Sequence, residues 1–401
     1  MPKVEVKNVY KIFGSAPKSM IPLLKQGEGK EKILKKHKHS VGINNASFSV
    51  EEGEIFVVMG LSGSGKSTLI RCINRLIEPT AGEICIDGED IAHCSPEELR
   101  NVRRKKVAMV FQNFALLPHR TVAENVGFGL EIQKVPVERR LAKAHEMLEV
   151  VGLKGYADSK PQQLSGGMQQ RVGLARALAT EADILLMDEA FSALDPLIRK
   201  EMQNELLNLQ TRMHKTILFI THDLDEALKI GDRIAIMKDG VIVQIDTPEG
   251  ILQNPADDYV REFVQDVNRA KVVTASTIMR PAETIAFEKA GLRVAVRKMK
   301  EAGISSIFVT DKNNVLCGIV TIDAATEQIK NGQESMDEIL DREICTITPD
   351  TAIENILPLF FQTRYPIAVV NEDKRLLGLI FKATVLAGLL GEEEQLHAVH
   401  D

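Results

Sequence analysis

The segment Gly60-Leu61-Ser62-Gly63-Ser64-Gly65-Lys66-Ser67 constrains this chain more than any other. It follows the apolar run Ile55–Met59 and opens a helix-like stretch near Ser67. A buried strand, a glycine-rich turn and a helix start, in that order, make a phosphate cradle of the pattern GxxxxGK[ST]. Glycines at 60, 63 and 65 let the backbone wrap closely around an anion. The loop N–H groups then point at it, and the helix N-terminus adds a favourable dipole. Lys66 would reach the β- and γ-phosphates of a nucleotide, and the Ser67 hydroxyl would ligate Mg2+.

The surrounding pattern predicts an α/β domain. Val107–Phe111, Ile184–Met187, Thr216–Ile220 and Arg233–Met237 are further short apolar runs. They alternate with amphipathic stretches, which is the mark of a mainly parallel central sheet. Strand-like runs at Val4–Val9, Ala46–Val50 and Glu83–Ile86 predict an antiparallel subdomain.

The run Ile184–Met187 ends in Asp188 and Glu189. Ligands of open parallel sheets bind at the carboxyl ends of the strands. There Asp188 would orient Mg2+, directly or through water, and Glu189 would act as general base toward the attacking water. A second anion-binding helix start follows from Leu164-Ser165-Gly166-Gly167-Met168-Gln169, with Ser165 at the N-cap. One site rarely needs two such cradles. One solution is that the second serves a nucleotide held by another copy of the chain.

With these motifs in hand, residues 1–265 resemble the ABC ATPase family, of which LSGGxQ is the hallmark. The resemblance implies further residues. Gln112 matches the glutamine that links Mg2+ and the attacking water to the membrane partner. Asp195, in Ser192–Asp195, matches the D-loop, and His222 the histidine that contacts the γ-phosphate. An aromatic that stacks on adenine falls at Phe13, with Tyr10 as the competing candidate. The implied ATP site comprises Phe13, Gly60, Ser62, Gly63, Gly65, Lys66, Ser67 and Thr68 of one copy. Ser165, Gly166, Gly167 and Gln169 come from a second copy bound head to tail, and Asp195 lies at the same site. Ser67, Gln112 and Asp188 would hold Mg2+. Catalysis would fall to Glu189, His222, Gln112 and Lys66.

Within that family the chain resembles the ATP-binding subunits of glycine betaine/proline (quaternary amine) importers. Val9–Gly14 followed by a basic insertion, Met187–Arg199, and a C-terminal pair of repeats carry the likeness. In the repeats, Ile307–Asp311 with Gly318-Ile319-Val320 returns some 60 residues later as Ile367–Asn371 with Gly378-Leu379-Ile380. A fixed period of that kind sets the architecture. The repeats resemble a tandem CBS pair of α+β type over 275–391, in copies 275–332 and 335–391. A polar junction at 265–275 precedes them and an acidic tail, 392–401, follows.

The family likeness implies a peripheral protein on the cytoplasmic face of the membrane, with ATP and Mg2+ as cofactors. Its implied partners are a transmembrane permease and, indirectly, an extracytoplasmic substrate-binding protein or domain. The CBS pair would sense an adenine or cyclic nucleotide, anionic lipid or ionic strength. The alternative is an importer of another small solute whose repeats only dimerise. The usual nucleotide pattern is incomplete: the first copy offers Thr321 and Asp323, one residue closer than usual, whereas the second has Phe381 and Lys382 instead. For an ionic-strength switch, the exposed charges are Lys298, Lys300, Arg364, Lys374 and Arg375.

Composition removes several other classes. A net charge of −6 argues against general nucleic-acid binding. Six lysines between Lys25 and Lys38 are a local exception. They read as a solvated insertion or as a contact with a partner or anionic lipid. Cys72, Cys85, Cys94, Cys317 and Cys345 show no metal-ligand spacing, which points to a reducing compartment. No window of about 18 apolar residues predicts a transmembrane helix, so another chain would do the spanning.

Overall fold

The computed structural model describes residues 2–112, 114–192, 194–265, 269–287, 291–333 and 335–390. The acidic tail lies outside the described residues. The chain divides into two compact units, residues 1–267 and 268–401.

Among the described residues, ten strands build the first unit: β1 (Val4–Phe13), β2 (Ser40–Val50), β3 (Ile55–Met59), β4 (Ala81–Ile86), β5 (Glu89–Asp90), β6 (Val107–Val110), β7 (Ile184–Asp188), β8 (Thr216–Thr221), β9 (Arg233–Lys238) and β10 (Val241–Asp246). The larger sheet has the order β10-β9-β3-β8-β7-β6. Its strands run parallel except for the β9–β10 hairpin. Every residue of β3 and β7 is buried. Helices cover both faces of such strands, so they read as continuous apolar runs rather than as alternation. The smaller sheet, β2-β1-β4-β5, is antiparallel. Phe48 of β2 stacks on Phe56 of β3 at 4.9 Å, joining the two sheets in one core. Parallel pairing brings the carboxyl ends of β3, β7 and β8 to one edge. From that edge the chain leaves as the phosphate loop, as Glu189 and as His222.

The basic insertion is packed rather than simply solvated. It forms helices Ile21–Lys25 and Lys30–His37. Met20, Leu24 and Ile33 are buried against Tyr10, Ile12 and Val41. The lysines stay on the outer side, which makes the segment a small amphipathic cover over β1 and β2.

The second unit contains two three-stranded sheets: β11 (Thr284–Ala286), β12 (Ser306–Thr310) and β13 (Leu316–Thr321), then β14 (Thr346–Ile347), β15 (Ile367–Val370) and β16 (Leu376–Ile380). In each, the first pairing is parallel and the second antiparallel. The repeated glycines have a packing reason. A Cβ on Gly318 would lie 2.7 Å from the Asp341 carbonyl oxygen, and one on Gly378 would lie 2.9 Å from that of Arg280. Phe308, Ile319, Ala368, Val370, Leu376 and Leu379 form a core shared by the repeats. Ala270 and Val273 are buried in this unit's core as well. The stretch expected as a polar junction is therefore, from residue 269, part of the packing.

Candidate active site

The phosphate loop holds conformations that only glycine supports. Gly60, Gly63 and Gly65 have φ of 150°, 79° and 110°. A Cβ on Gly60 would lie 2.1 Å from the Met237 carbonyl oxygen, and one on Gly65 would lie 2.1 Å from that of Gly42. Neighbouring backbone braces the loop: Gly240 N donates to Ser64 O (2.8 Å) and Asn44 N to Gly240 O (2.7 Å). The Ser64 hydroxyl is buried without a hydrogen-bond partner. Lys66 is buried and donates to Gly60 O (2.7 Å) and Leu61 O (3.1 Å). Desolvation holds its ammonium below the usual lysine pKa, while Glu189 and Asp188 push the other way.

Asp188 ends β7 and is 1% exposed. It accepts from Ser67 Oγ (2.7 Å) and from Arg71 Nη2 (3.1 Å). Glu189 is in the left-handed region at φ 46°, and its N–H donates to Ile220 O (3.0 Å). Its carboxylate gathers three groups: Gln112 Nε2 at 3.2 Å, His222 Nδ1 at 3.4 Å and Lys66 Nζ at 4.0 Å. A cleft of about 430 Å³ opens over Glu189, Gln112 and Lys66, lined also by Phe13, Gly63, Gly65, Ser62, Ser67 and Thr68; His222 and Gly60 stand outside its lining. Phe13 is 42% exposed on this cleft. Tyr10 is 5% exposed and packs under the insertion, so of the two aromatics only Phe13 lines the cleft.

The other sequence-derived residues stand elsewhere in the same unit. Ser165 caps the helix Gly166–Ala179, accepting from Met168 N (3.3 Å). Gly167 is forced by packing, since a Cβ there would lie 2.6 Å from Ile198. Gln169 donates to Leu164 O (3.1 Å). Asp195 caps the helix Pro196–Met213 through Ile198 N (3.1 Å). None of Ser165, Gly166, Gly167, Gln169 or Asp195 lines the cleft of its own chain.

Two contacts were not foreseen. Arg71, four residues after Ser67 on the same helix, holds the outer oxygen of Asp188; the i,i+4 spacing could have suggested it. Lys30 of the insertion donates to Gly63 O (3.0 Å), and no local spacing announces that.

In the second unit Thr321 is a helix cap, accepting from Ala324 N (3.3 Å), with Asp323 in the first turn. The Phe381 N–H donates to Thr384 Oγ (3.2 Å), and Lys382 Nζ lies 5.9 Å from the Phe360 ring centre. Lys298, expected among the exposed charges, is half-buried and tied to Thr284 O (3.1 Å). Lys300, Arg364, Lys374 and Arg375 are exposed.

Comparison with known proteins fits this geometry. Residues 43–192 match the ABC transporter family, and residues 275–331 and 336–391 each match the CBS domain. A glycine betaine/carnitine transport ATP-binding protein of Listeria monocytogenes is 54% identical over 398 residues, covering 99% of this chain and all of the relative. A glycine betaine transport ATP-binding protein of Bacillus subtilis is 53% identical, covering 99% of this chain and 94% of that one. The glycine betaine/proline betaine counterpart of Escherichia coli is 49% identical, covering 96% and 97%. Among solved structures, a dimeric ATP-binding cassette in a post-hydrolysis state with ADP and phosphate superposes with a TM-score of 0.53 at 34% identity. It covers 61% of this chain and 98% of that one. Such proteins are nucleotide-binding, membrane-associated subunits that work beside a permease. A phosphate loop, a carboxylate pair at the end of β7 and a CBS pair, all in one chain, place it among them: it belongs to the ATP-binding proteins of ABC transporters, as a transport ATPase with C-terminal CBS domains.

Proposed function

We propose that this chain hydrolyses ATP on the cytoplasmic face of a membrane and so drives uptake of glycine betaine and related quaternary amines through a separate permease. The names of the relatives support the solute class over another small solute. Choice of solute would rest with the permease and an extracytoplasmic binding protein or domain. The observation that carries the reading is the convergence of Lys66, Gln112 and His222 on Glu189, beside the Ser67–Asp188 pair.

The donor set fits Mg2+. A hydroxyl and a carboxylate oxygen stand 2.7 Å apart, with the Gln112 amide beside Glu189; hard oxygen donors of this kind suit the ion. Among the described residues, no three His, Cys, Asp or Glu side chains form a metal group. The rest of the shell therefore falls to phosphate oxygens and water. When bound, the ion would neutralise charge on the β- and γ-phosphoryl oxygens.

Glu189 takes the proton of the attacking water, while Gln112 and His222 fix the carboxylate's direction. Lys66 exchanges the Gly60 and Leu61 carbonyls for phosphate oxygens. Phe13 offers adenine a π-face. Ser165, Gly166 and Gly167 close the γ-phosphate side from a second copy bound head to tail, with Gln169 and Asp195 at the same junction. Their distance from their own chain's cleft supports that division. Loss of the γ-phosphate removes the bridge between copies, so the dimer reopens and the permease resets.

The CBS pair regulates this cycle through ionic strength or a bound nucleotide. The exposed Lys300, Arg364, Lys374 and Arg375 support screening of weak contacts. The second copy's Phe381 and Lys382 count against a common ribose site there.

The test is Glu189→Gln in the chain assembled with its permease in lipid. ATP stays bound, the dimer stays closed, and turnover falls about 10²-fold or more. Turnover at the parent rate would remove Glu189 as the base. Glycine betaine and salt should each stimulate the parent; indifference to both would remove the solute and the sensor while leaving the ATPase.

A further inference from the structure

Lys30 stands where the insertion meets the cleft. Its ammonium donates to Gly63 O at the tip of the phosphate loop (3.0 Å) and lies 3.4 Å from Asp239 Oδ1. It lines the nucleotide cleft and also a neighbouring groove of about 610 Å³. Burial of Ile33, one turn along the same helix, fixes where Lys30 emerges.

Nothing in the insertion's own stability explains a lysine at that point. Lys30 is the first residue of the helix Lys30–His37, where the dipole disfavours a cation. Lys35, Lys36 and His37 sit in the last turn, where the dipole favours them. Lys32 and Lys35 pair with Glu28 and Glu31 of the same segment, whereas Lys30 reaches out to the loop. Its counter-ion is held loosely. The Asp239 side chain is 66% exposed, in the turn between β9 and β10, and an ion pair of that kind is weak. A phosphate oxygen is a stronger acceptor for an ammonium than a backbone carbonyl.

We infer that Lys30 is a further nucleotide-binding residue, brought to the lip of the cleft by the insertion. It adds positive charge for the polyphosphate tail of ATP, and Asp239 is the resting counter-ion that the tail displaces. The inference rests on the reading of the cleft as an ATP site.

The two residues of the pair should then act with opposite sign. In the full 401-residue chain, titrated with a fluorescent ATP analogue, Lys30→Gln should raise Kd about threefold at low salt, the scale of one part-exposed charge contact. High salt should shrink that difference. Lys30→Arg should restore the parent affinity, and Asp239→Asn should tighten binding. If Asp239→Asn weakens binding as Lys30→Gln does, the pair is a structural brace and the inference falls. It falls equally if Lys30→Gln leaves Kd unchanged while Lys66→Ala abolishes binding. If Lys66→Ala itself keeps full affinity, the ATP reading beneath it is overturned.

Discussion

The first unit contains two glycine-rich helix starts, and they are built to opposite ends. The loop Gly60–Ser67 is hemmed in: its glycines press on the carbonyls of Met237 and Gly42, and a lysine and two carboxylates converge beside it. The start at Ser165–Gly167 is open at its first glycine, where a would-be Cβ meets nothing nearer than 4.0 Å; at Gly167 the Ile198 side chain closes in, and neither glycine lines the cleft. On the proposed reading the first has the groups for binding and hydrolysis at hand, and the second offers backbone N–H groups and the Ser165 hydroxyl. The difference suits a single chain that holds two half-sites rather than one whole and one vestige.

The largest expected effect tests that division by complementation. Lys66→Ala and Gly167→Asp should each lower turnover about 10²-fold or more as pure dimers. Mixed in equal amounts, they form one site with both halves intact, and activity should return to about a quarter of the parent by random pairing. No return would mean that each chain hydrolyses alone.

Next is the contrast in backbone. Gly65→Ala puts a Cβ into Gly42 O at φ 110° and should cost about 3 kcal/mol of folding stability. Gly166→Ala should leave the melting temperature in place. Equal melting temperatures for the two variants would break the comparison.

Smaller still is the aromatic pair. Phe13→Ala should raise the Kd for ATP up to about tenfold, the scale of one lost stacking contact. Tyr10→Phe should leave it unchanged, because Tyr10 packs with Ile12 and Met20. The smallest effect falls outside the cleft: Thr321→Ala should cost about 1 kcal/mol as a lost helix cap, with ATP affinity unaltered. A change in Kd there would assign Thr321 more than a capping role.

The sheet was legible because buried parallel strands are apolar throughout, as in Ile55–Met59 and Ile184–Met187. The phosphate loop was legible because its chemistry sits within eight consecutive residues. Phe13 could have been told from Tyr10 by parity, since Tyr10 and Ile12 fall on one face of β1 and Phe13 on the other. What stayed hidden depends on distance along the chain. Lys30 meets Gly63 across 33 positions, with no motif to join them. The insertion misled because its lysines mask the apolar residues that pack it, Met20, Leu24 and Ile33 with Ile21 and Leu23 beside them. The stretch after residue 269 misled because Arg269, Lys271 and Thr274 alternate with Ala270 and Val273, which are buried in the core of the second unit.

The contact of Lys66 with Gly60 O and Leu61 O has a consequence for what the idle protein ignores. With its charge already satisfied by its own loop, Lys66 is not a bare cation on display to every passing anion. On the proposed reading of the cleft, a triphosphate that also engages the loop amides, Ser67 and Phe13 would replace both carbonyls at once, whereas a chloride or a lone phosphate would bring fewer contacts to that exchange.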